Sequence, residues 1–315
     1  MDNTFSDNVS DNIFARNKIH EEYQYLNLIE NILENGHLAE GRKKSIFGHS
    51  MRFSLANGSI PILTTKKTDW KTCLKELLWF IRGETDTQLL KNQNVHIWDD
   101  NSSREFLDSK GLKFTKEGLI GPGYGYQWRN FNANYNCFSG KKLLDDNDQH
   151  DLFKEVIQFK GIDQLQQIID LLKNPETRNS CHLVMTAWNP CQLDQMALLP
   201  CHILCQFNVH DGNKLSCSMY QMSNDVCEIN SNIASYSFLT HLLAKHCGLE
   251  AYEFIHFIGN CYICENAIDA CKTQILREPF PFPTVSINNI RENINDYQVE
   301  DFEIHFIHFI HFIHF

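Results

Sequence analysis

The stretch from Met196 to Tyr236 constrains this 315-residue chain more than any other. Leu199-Pro200-Cys201-His202 precedes an alternating run, Ile203 to Val209, and a second run, Lys214 to Gln221, follows a turn at Asp211-Gly212. Two period-two runs joined through Asp-Gly predict a hairpin. A proline bend then delivers Cys201 and His202 to the hairpin's mouth, which is how a nucleophile is presented. A polar loop over 222–231 and a helix opening at Asn232 put Gln221, Ser223, Asp225 and Asn232 around the same mouth. The rest of the chain is expected to be the container for this constellation.

Composition narrows what that container is. A hydrophobic content of 43% is that of a globular protein with a sizeable core. A formal net charge of −11 with no basic run argues against non-specific nucleic-acid binding. No apolar stretch approaches a membrane span, and the N-terminus lacks the basic and apolar segments of a signal peptide, so a cytoplasmic location is expected. The 12 cysteines then read as reduced thiols. Cys201 with Cys205, and Cys261 with Cys264, lack a second pair at finger spacing, so no metal is expected.

Residues 1–18 are rich in Asn, Asp and Ser and are expected to be a disordered tail. Helical spacing of Tyr25, Leu26, Ile29, Ile32 and Leu33 predicts a helix stopped at Asn35-Gly36. Strands are expected over 46–53 and 61–65. The helix over 69–82 is apolar almost all round, hence buried, yet carries Glu76. Burial would raise that carboxyl's pKa, which suits either an internal hydrogen-bond pair or proton transfer. A glycine-rich run, Leu119 to Arg129, brings Tyr124 and Trp128 into close quarters but lacks the Gly-Lys-Ser/Thr end of a phosphate loop. Residues 131–160 look like a surface insertion, and 162–172 like an amphipathic helix. A buried strand is expected over 181–188, a helix over 232–247, a strand over 254–258, a helix over 261–276 and a strand over 284–287. Ile-His-Phe then occurs four times from Ile304 to Phe315, a period that fits neither helix nor strand.

Six motifs in one order carry a resemblance: Glu76-Leu-Leu-Trp-Phe-Ile, Ile97-Trp-Asp, Gly121-Pro-Gly-Tyr-Gly-Tyr-Gln-Trp, Ala187-Trp-Asn-Pro, Met196-Ala-Leu-Leu-Pro-Cys-His and Asn232-Ile-Ala-Ser-Tyr. Together they resemble the thymidylate synthase family over roughly residues 20 to 303. The resemblance implies an α/β (α+β) fold with a large twisted mixed sheet covered by helices, a domain over 19–303, and two sheets packed back to back in a homodimer. It implies methylation of dUMP with 5,10-methylenetetrahydrofolate as carbon and hydride donor. Cys201 would add to uracil C6, since C5 is a poor nucleophile until a thiolate makes it part of an enolate. Asn232 would pair with the O4/N3 edge of uracil, Glu76 and Tyr124 would move protons, and His202 would accompany the nucleophile. Trp98 would offer a flat face and Asp225 an acceptor to the folate, while Gln221, Ser223 and Arg42 would contact the nucleotide.

The departures fall on the substrate grip. Of four arginines that the family uses for the phosphate, two of them from the partner subunit, Arg42 matches one and Met222 replaces another. The partner pair aligns with Cys181-His182, or, with a different gap, with Arg178-Asn179, so Arg178 and His182 are the candidates. Tyr262 and Cys264 stand where the family has His and Tyr for the ribose, and the Ile-His-Phe repeats replace its closing tail. A hydrogen bond to a charged group contributes about 1.5–3 kcal/mol, so losing two or three would weaken binding by about three powers of ten. The alternatives are a catalytically impaired homologue or a pyrimidine hydroxymethylase.

Overall fold

The hairpin around Asp211-Gly212 forms the heart of a six-stranded mixed sheet in the computed structural model, which describes residues 20–39, 43–141 and 160–306. Along the chain come α1 (Tyr23–Asn35), β1 (His37–Ala39), β2 (Lys43–Ser54), α2 (Trp70–Ile81), α3 (Gln88–Lys91), α4 (Arg104–Ser109) and α5 (Gly125–Asn130). Then follow α6 (Gln164–Lys173), β3 (Val184–Thr186), β4 (His202–His210), β5 (Lys214–Asp225), α7 (Ile229–His246) and β6 (Glu250–Cys264). Last come α8 (Ile268–Gln274), β7 (Thr284–Ile287) and β8 (Phe302–His305). The sheet order is β1-β2-β6-β5-β4-β3, antiparallel except for the parallel pair β5 and β6; β7 and β8 form a separate ribbon.

Helices cover one face of the sheet. α7 lies across β5 and β6, α2 packs on α7, and α1 covers β2. α7 is enclosed: Ile233, Ala234, Phe238, Leu239, Leu242 and Leu243 are all 0% exposed. Its buried Ser237 and Thr240 hydroxyls donate to the carbonyls of Ile233 and Tyr236 one turn back, which satisfies them inside the core. Asp69, Ser103 and Asp163 each accept a backbone N–H at the start of α2, α4 and α6. These caps explain why the helices begin within a residue or two of where spacing predicts.

Several elements differ from expectation. Residues 61–65 form no strand, because the Thr64 and Thr65 amides and hydroxyls donate to the buried Glu22 carboxylate rather than to a ladder. The polar loop expected over 222–231 is strand up to Asp225, held by the parallel register Ser223↔Asn260 to Asp225↔Tyr262, and α7 starts three residues before Asn232. Residues 261–264 continue β6 instead of opening a helix; Cys261 and Ile263 are buried in alternation with Tyr262 and Cys264. The 181–188 segment is strand only at 184–186, with Cys181 and His182 exposed. At the start of the 131–160 segment, Ala133 and Tyr135 are buried against Tyr126, and the Thr85 hydroxyl meets Tyr135 at 2.9 Å. The first Ile-His-Phe unit is structural, since Ile304 and His305 pair with Val285 and Thr284. The expected tail 1–18, residues 142–159 and 307–315, and Arg42 lie outside the described residues.

Candidate active site

Cys201 sits between the glycine-rich run and the end of β5. Its N–H donates to the Tyr124 hydroxyl at 3.1 Å, and its carbonyl accepts from the Met222 N–H at 2.7 Å. The residue is half-buried; burial raises its thiol pKa, and the Tyr124 hydroxyl acts in the opposite direction. Tyr124 holds an unusual backbone, φ 42° and ψ −109°. The next residue must be glycine, since a Cβ on Gly125 would lie 2.3 Å from the Phe80 carbonyl oxygen. The loop is thereby pressed onto α2, at a backbone cost of about 1–3 kcal/mol of the kind found at functional sites. The Tyr124 ring stacks on Phe80 (centroids 5.0 Å apart) and meets Trp98 edge-on at 5.7 Å. Burial holds the phenol well above its ordinary pKa, so it is a neutral hydroxyl.

Glu76 reaches the same place from α2. Its Oε1 accepts the Trp98 indole N–H at 2.8 Å. Desolvation raises its pKa to about 7 despite that hydrogen bond, which favours the ionised form. Some of the residue's surface reaches the cleft, but the carboxyl is enclosed, so burial dominates. Trp98 itself is 8% exposed, so most of its ring is taken by Trp79, Tyr124 and Glu76.

His202 is the first residue of β4. Its Nδ1 lies 2.8 Å from the Tyr236 hydroxyl, and its ring lies 4.5 Å from that of Tyr124. Burial pushes its pKa down to about 3, so the ring is neutral. Across the strand pair stands Gln221, in register with His202. Gln221 Oε1 accepts from Asn232 Nδ2 at 3.2 Å and lies 2.9 Å from His256 Nε2. Gln221 Nε2 donates to the Ser223 carbonyl at 3.3 Å. Among the described residues, Asn232 gives one N–H to Gln221, and its other N–H and its Oδ1 have no protein partner.

At the end of β5, Asp225 accepts the Cys227 N–H at 2.9 Å and the Cys264 S–H at 3.2 Å. A carboxylate has about four lone-pair sites, so both oxygens keep capacity. Lys43 Nζ lies 4.0 Å over the Tyr262 ring, and the Lys66 ammonium donates to the Cys227 carbonyl. The Cys227 and Cys271 sulfurs are 3.6 Å apart.

The fold therefore joins Cys201, Tyr124, Trp98 and Glu76 in one run of contacts, continues it through His202 and its strand partner Gln221 to Asn232, and sets Ser223 and Asp225 further along β5. Within one chain it does not bring Arg178 or His182 there. Arg178 donates to the Gly212 and Lys173 carbonyls, at the far end of the β4–β5 hairpin from Cys201, and His182 is exposed beyond β3. Sequence reasoning missed His256, the Trp98–Glu76 bond and the Lys43–Tyr262 contact. Only the alternation within the strand expected over 254–258, which puts His256 on the buried face with Phe254 and Ile258, could have pointed to His256. Among the described residues no group of three or more His, Cys, Asp or Glu side chains is placed to hold a metal ion. No described helix is long and apolar enough to cross a membrane.

The thymidylate synthase family model matches residues 23–310. The chain belongs to the thymidylate synthase family. Its mixed α/β architecture with the six-stranded sheet is consistent with the fold expected of that family. Among its relatives are bifunctional dihydrofolate reductase-thymidylate synthases from Leishmania major, 44% identical over 90% of this chain and 53% of that protein, and from Plasmodium berghei, 46% identical over 91% and 46%. A putative bifunctional enzyme of the same name from Oryza sativa subsp. japonica is 42% identical over 93% of this chain and 56% of that protein. The chain thus spans about half the length of the curated relatives it matches. These matches support the thymidylate synthase reading and do not favour the impaired homologue or the hydroxymethylase.

Proposed function

We propose that this chain converts dUMP to dTMP by reductive methylation with 5,10-methylenetetrahydrofolate, acting through the domain at 19–303. The observation that supports the reading is the contiguity of nucleophile, proton carriers and base reader: Cys201 to Tyr124 at 3.1 Å, Trp98 to Glu76 at 2.8 Å, and Gln221 to Asn232 at 3.2 Å, linked through the Trp98–Tyr124 and Tyr124–His202 ring contacts and the His202–Gln221 strand register.

The Cys201 thiol loses its proton and its sulfur bonds to C6. The C5–C6 π electrons move toward O4, where the free Asn232 N–H stabilises the developing enolate while Oδ1 accepts N3–H. Glu76, with a pKa of about 7, is part protonated near neutrality and can both give a proton toward O4 and take one back through water. The neutral Tyr124 hydroxyl lies at the sulfur's own backbone and assists removal of the C5 proton. C5 bonds to the one-carbon unit as that unit's bond to one folate nitrogen breaks. Loss of the C5 proton releases the second folate nitrogen and leaves an exocyclic methylene, and hydride delivered to that carbon sends electrons back through the ring to expel the Cys201 sulfur. The folate supplies the one-carbon unit and the hydride. Asp225 offers remaining lone pairs to its ring N–H groups, and Trp98 the edge left open.

His202, whose buried ring is neutral, orients Tyr236 and Tyr124 beside the nucleophile. Met222 beside Cys201 leaves the phosphate to Arg42, Lys43 and, from a partner subunit, Arg178 and His182. A cytoplasmic homodimer is part of this reading, with no need of nucleic acid or membrane. The outer face of the sheet supports the dimer: Phe47 is 83% exposed, and Val184, Leu204, Tyr220 and Phe257 also present apolar surface there. The test is dTMP formation from dUMP and methylenetetrahydrofolate, expected for the native chain and lost in Cys201→Ser. Native-level turnover in Cys201→Ser would overturn it.

A further inference from the structure

We propose that His256 is a positioning residue that sets base choice: its Nε2–H fixes the Gln221 carboxamide, which fixes the edge that Asn232 turns to the pyrimidine. This rests on the dUMP reading above. Gln221 is 1% exposed, and its Oε1 meets two nitrogens, Asn232 Nδ2 at 3.2 Å and His256 Nε2 at 2.9 Å. A carboxamide oxygen can only accept, so both partners must donate, and His256 must carry its proton on Nε2. The other ring nitrogen agrees: Nδ1 is buried with no hydrogen-bond partner. A bare lone pair is tolerated there better than a stranded N–H. The far end of the carboxamide is tied as well, Nε2 to the Ser223 carbonyl.

The ring is locked in this form by its surroundings. It is 0% exposed, with Phe254 at 5.7 Å, and burial with the neighbouring His202 and His49 pushes its pKa down to about 3. If the proton moved to Nδ1, the Nε2 lone pair would face Gln221 Oε1 and the carboxamide would turn over. Gln221 would then donate to both neighbours, and Asn232 would have to accept through Oδ1. Its oxygen and nitrogen would exchange places at the cleft. The present edge offers a donor to O4 and an acceptor to N3–H of uracil; the exchanged edge suits the N4 amino group and bare N3 of cytosine. A histidine with no contact to substrate thereby selects between the two bases.

Tritium release from C5-labelled dUMP and dCMP tests this in three proteins. The native chain should prefer dUMP. His256→Leu, which removes the donor, should shrink the dUMP-to-dCMP ratio of kcat/KM by about tenfold or more, the worth of one hydrogen bond to a buried partner. His256→Gln, which can donate in its place, should recover the ratio to within about threefold. An unchanged ratio in a folded His256→Leu protein overturns the proposal and leaves the dUMP reading standing. A native chain that releases tritium from dCMP alone, or from neither, overturns both. Should the leucine variant fail to fold, long-range proton–nitrogen NMR on the native protein decides: a neutral Nε2–H ring is expected for His256, and an Nδ1–H ring refutes the proposal.

Discussion

Replacing Trp98 with Phe removes one hydrogen bond and little else, which makes it a clean probe of Glu76. The indole N–H lies 2.8 Å from Glu76 Oε1, while the ring's packing against Trp79 and Tyr124, at 6.3 and 5.7 Å, is available to a phenyl as well. Glu76 stands at about pKa 7 because burial raises it further than the indole lowers it. A hydrogen bond to a charged group contributes about 1.5–3 kcal/mol, and a pKa unit corresponds to about 1.4 kcal/mol. Trp98→Phe should therefore lift Glu76 by about one to two units, leaving it largely protonated at neutral pH. Carbon-13 NMR titration of labelled glutamates, with Glu76→Gln to assign the resonance, reads this directly. A variant titrating at the native pH, or below it, would refute the account of how Glu76 is poised.

Glu76→Gln should abolish turnover yet gain stability at high pH. Between about pH 4.5 and 7 the folded chain keeps a proton that the unfolded chain has released, so native stability falls as pH rises through that window. The variant escapes a cost on the order of 3 kcal/mol at pH 8, visible in urea unfolding as a gap from the native protein that closes toward pH 4. Met222→Arg should tighten dUMP binding by about tenfold or more in calorimetry, because one charge-assisted contact is restored beside Cys201. Glu22→Ala should cost about 3 kcal/mol or more, since two amides and two hydroxyls, those of Thr65 buried, lose their acceptor; urea midpoints measure it.

How much of this was legible in the sequence depended on the range of the forces involved. The hairpin, α1, α2 and the place of Cys201 follow from periodicity and from local caps such as Asp69, and they form where the spacing puts them. Residues 61–65 and 261–264 differ from expectation because partners distant in sequence decide them. Glu22 takes the amides of the first, and pairing with both β2 and β5 extends the second past a register that looks helical. In the site, residue types and order pointed to the bond-making set. The hydrogen bonds that tune it, Trp98 to Glu76 and His256 to Gln221, join positions 22 and 35 residues apart and have no local signal.

The central claim is that Cys201 is the nucleophile for a uracil nucleotide. Incubation with 5-fluoro-dUMP and methylenetetrahydrofolate, followed by peptide mass spectrometry, tests it most directly. The fluorine replaces the C5 proton whose loss would complete turnover, so the bond between sulfur and C6 should persist. The account predicts a covalent adduct on the peptide carrying Cys201 and none in Cys201→Ser. No adduct with the native chain, or an adduct on another cysteine, would contradict it.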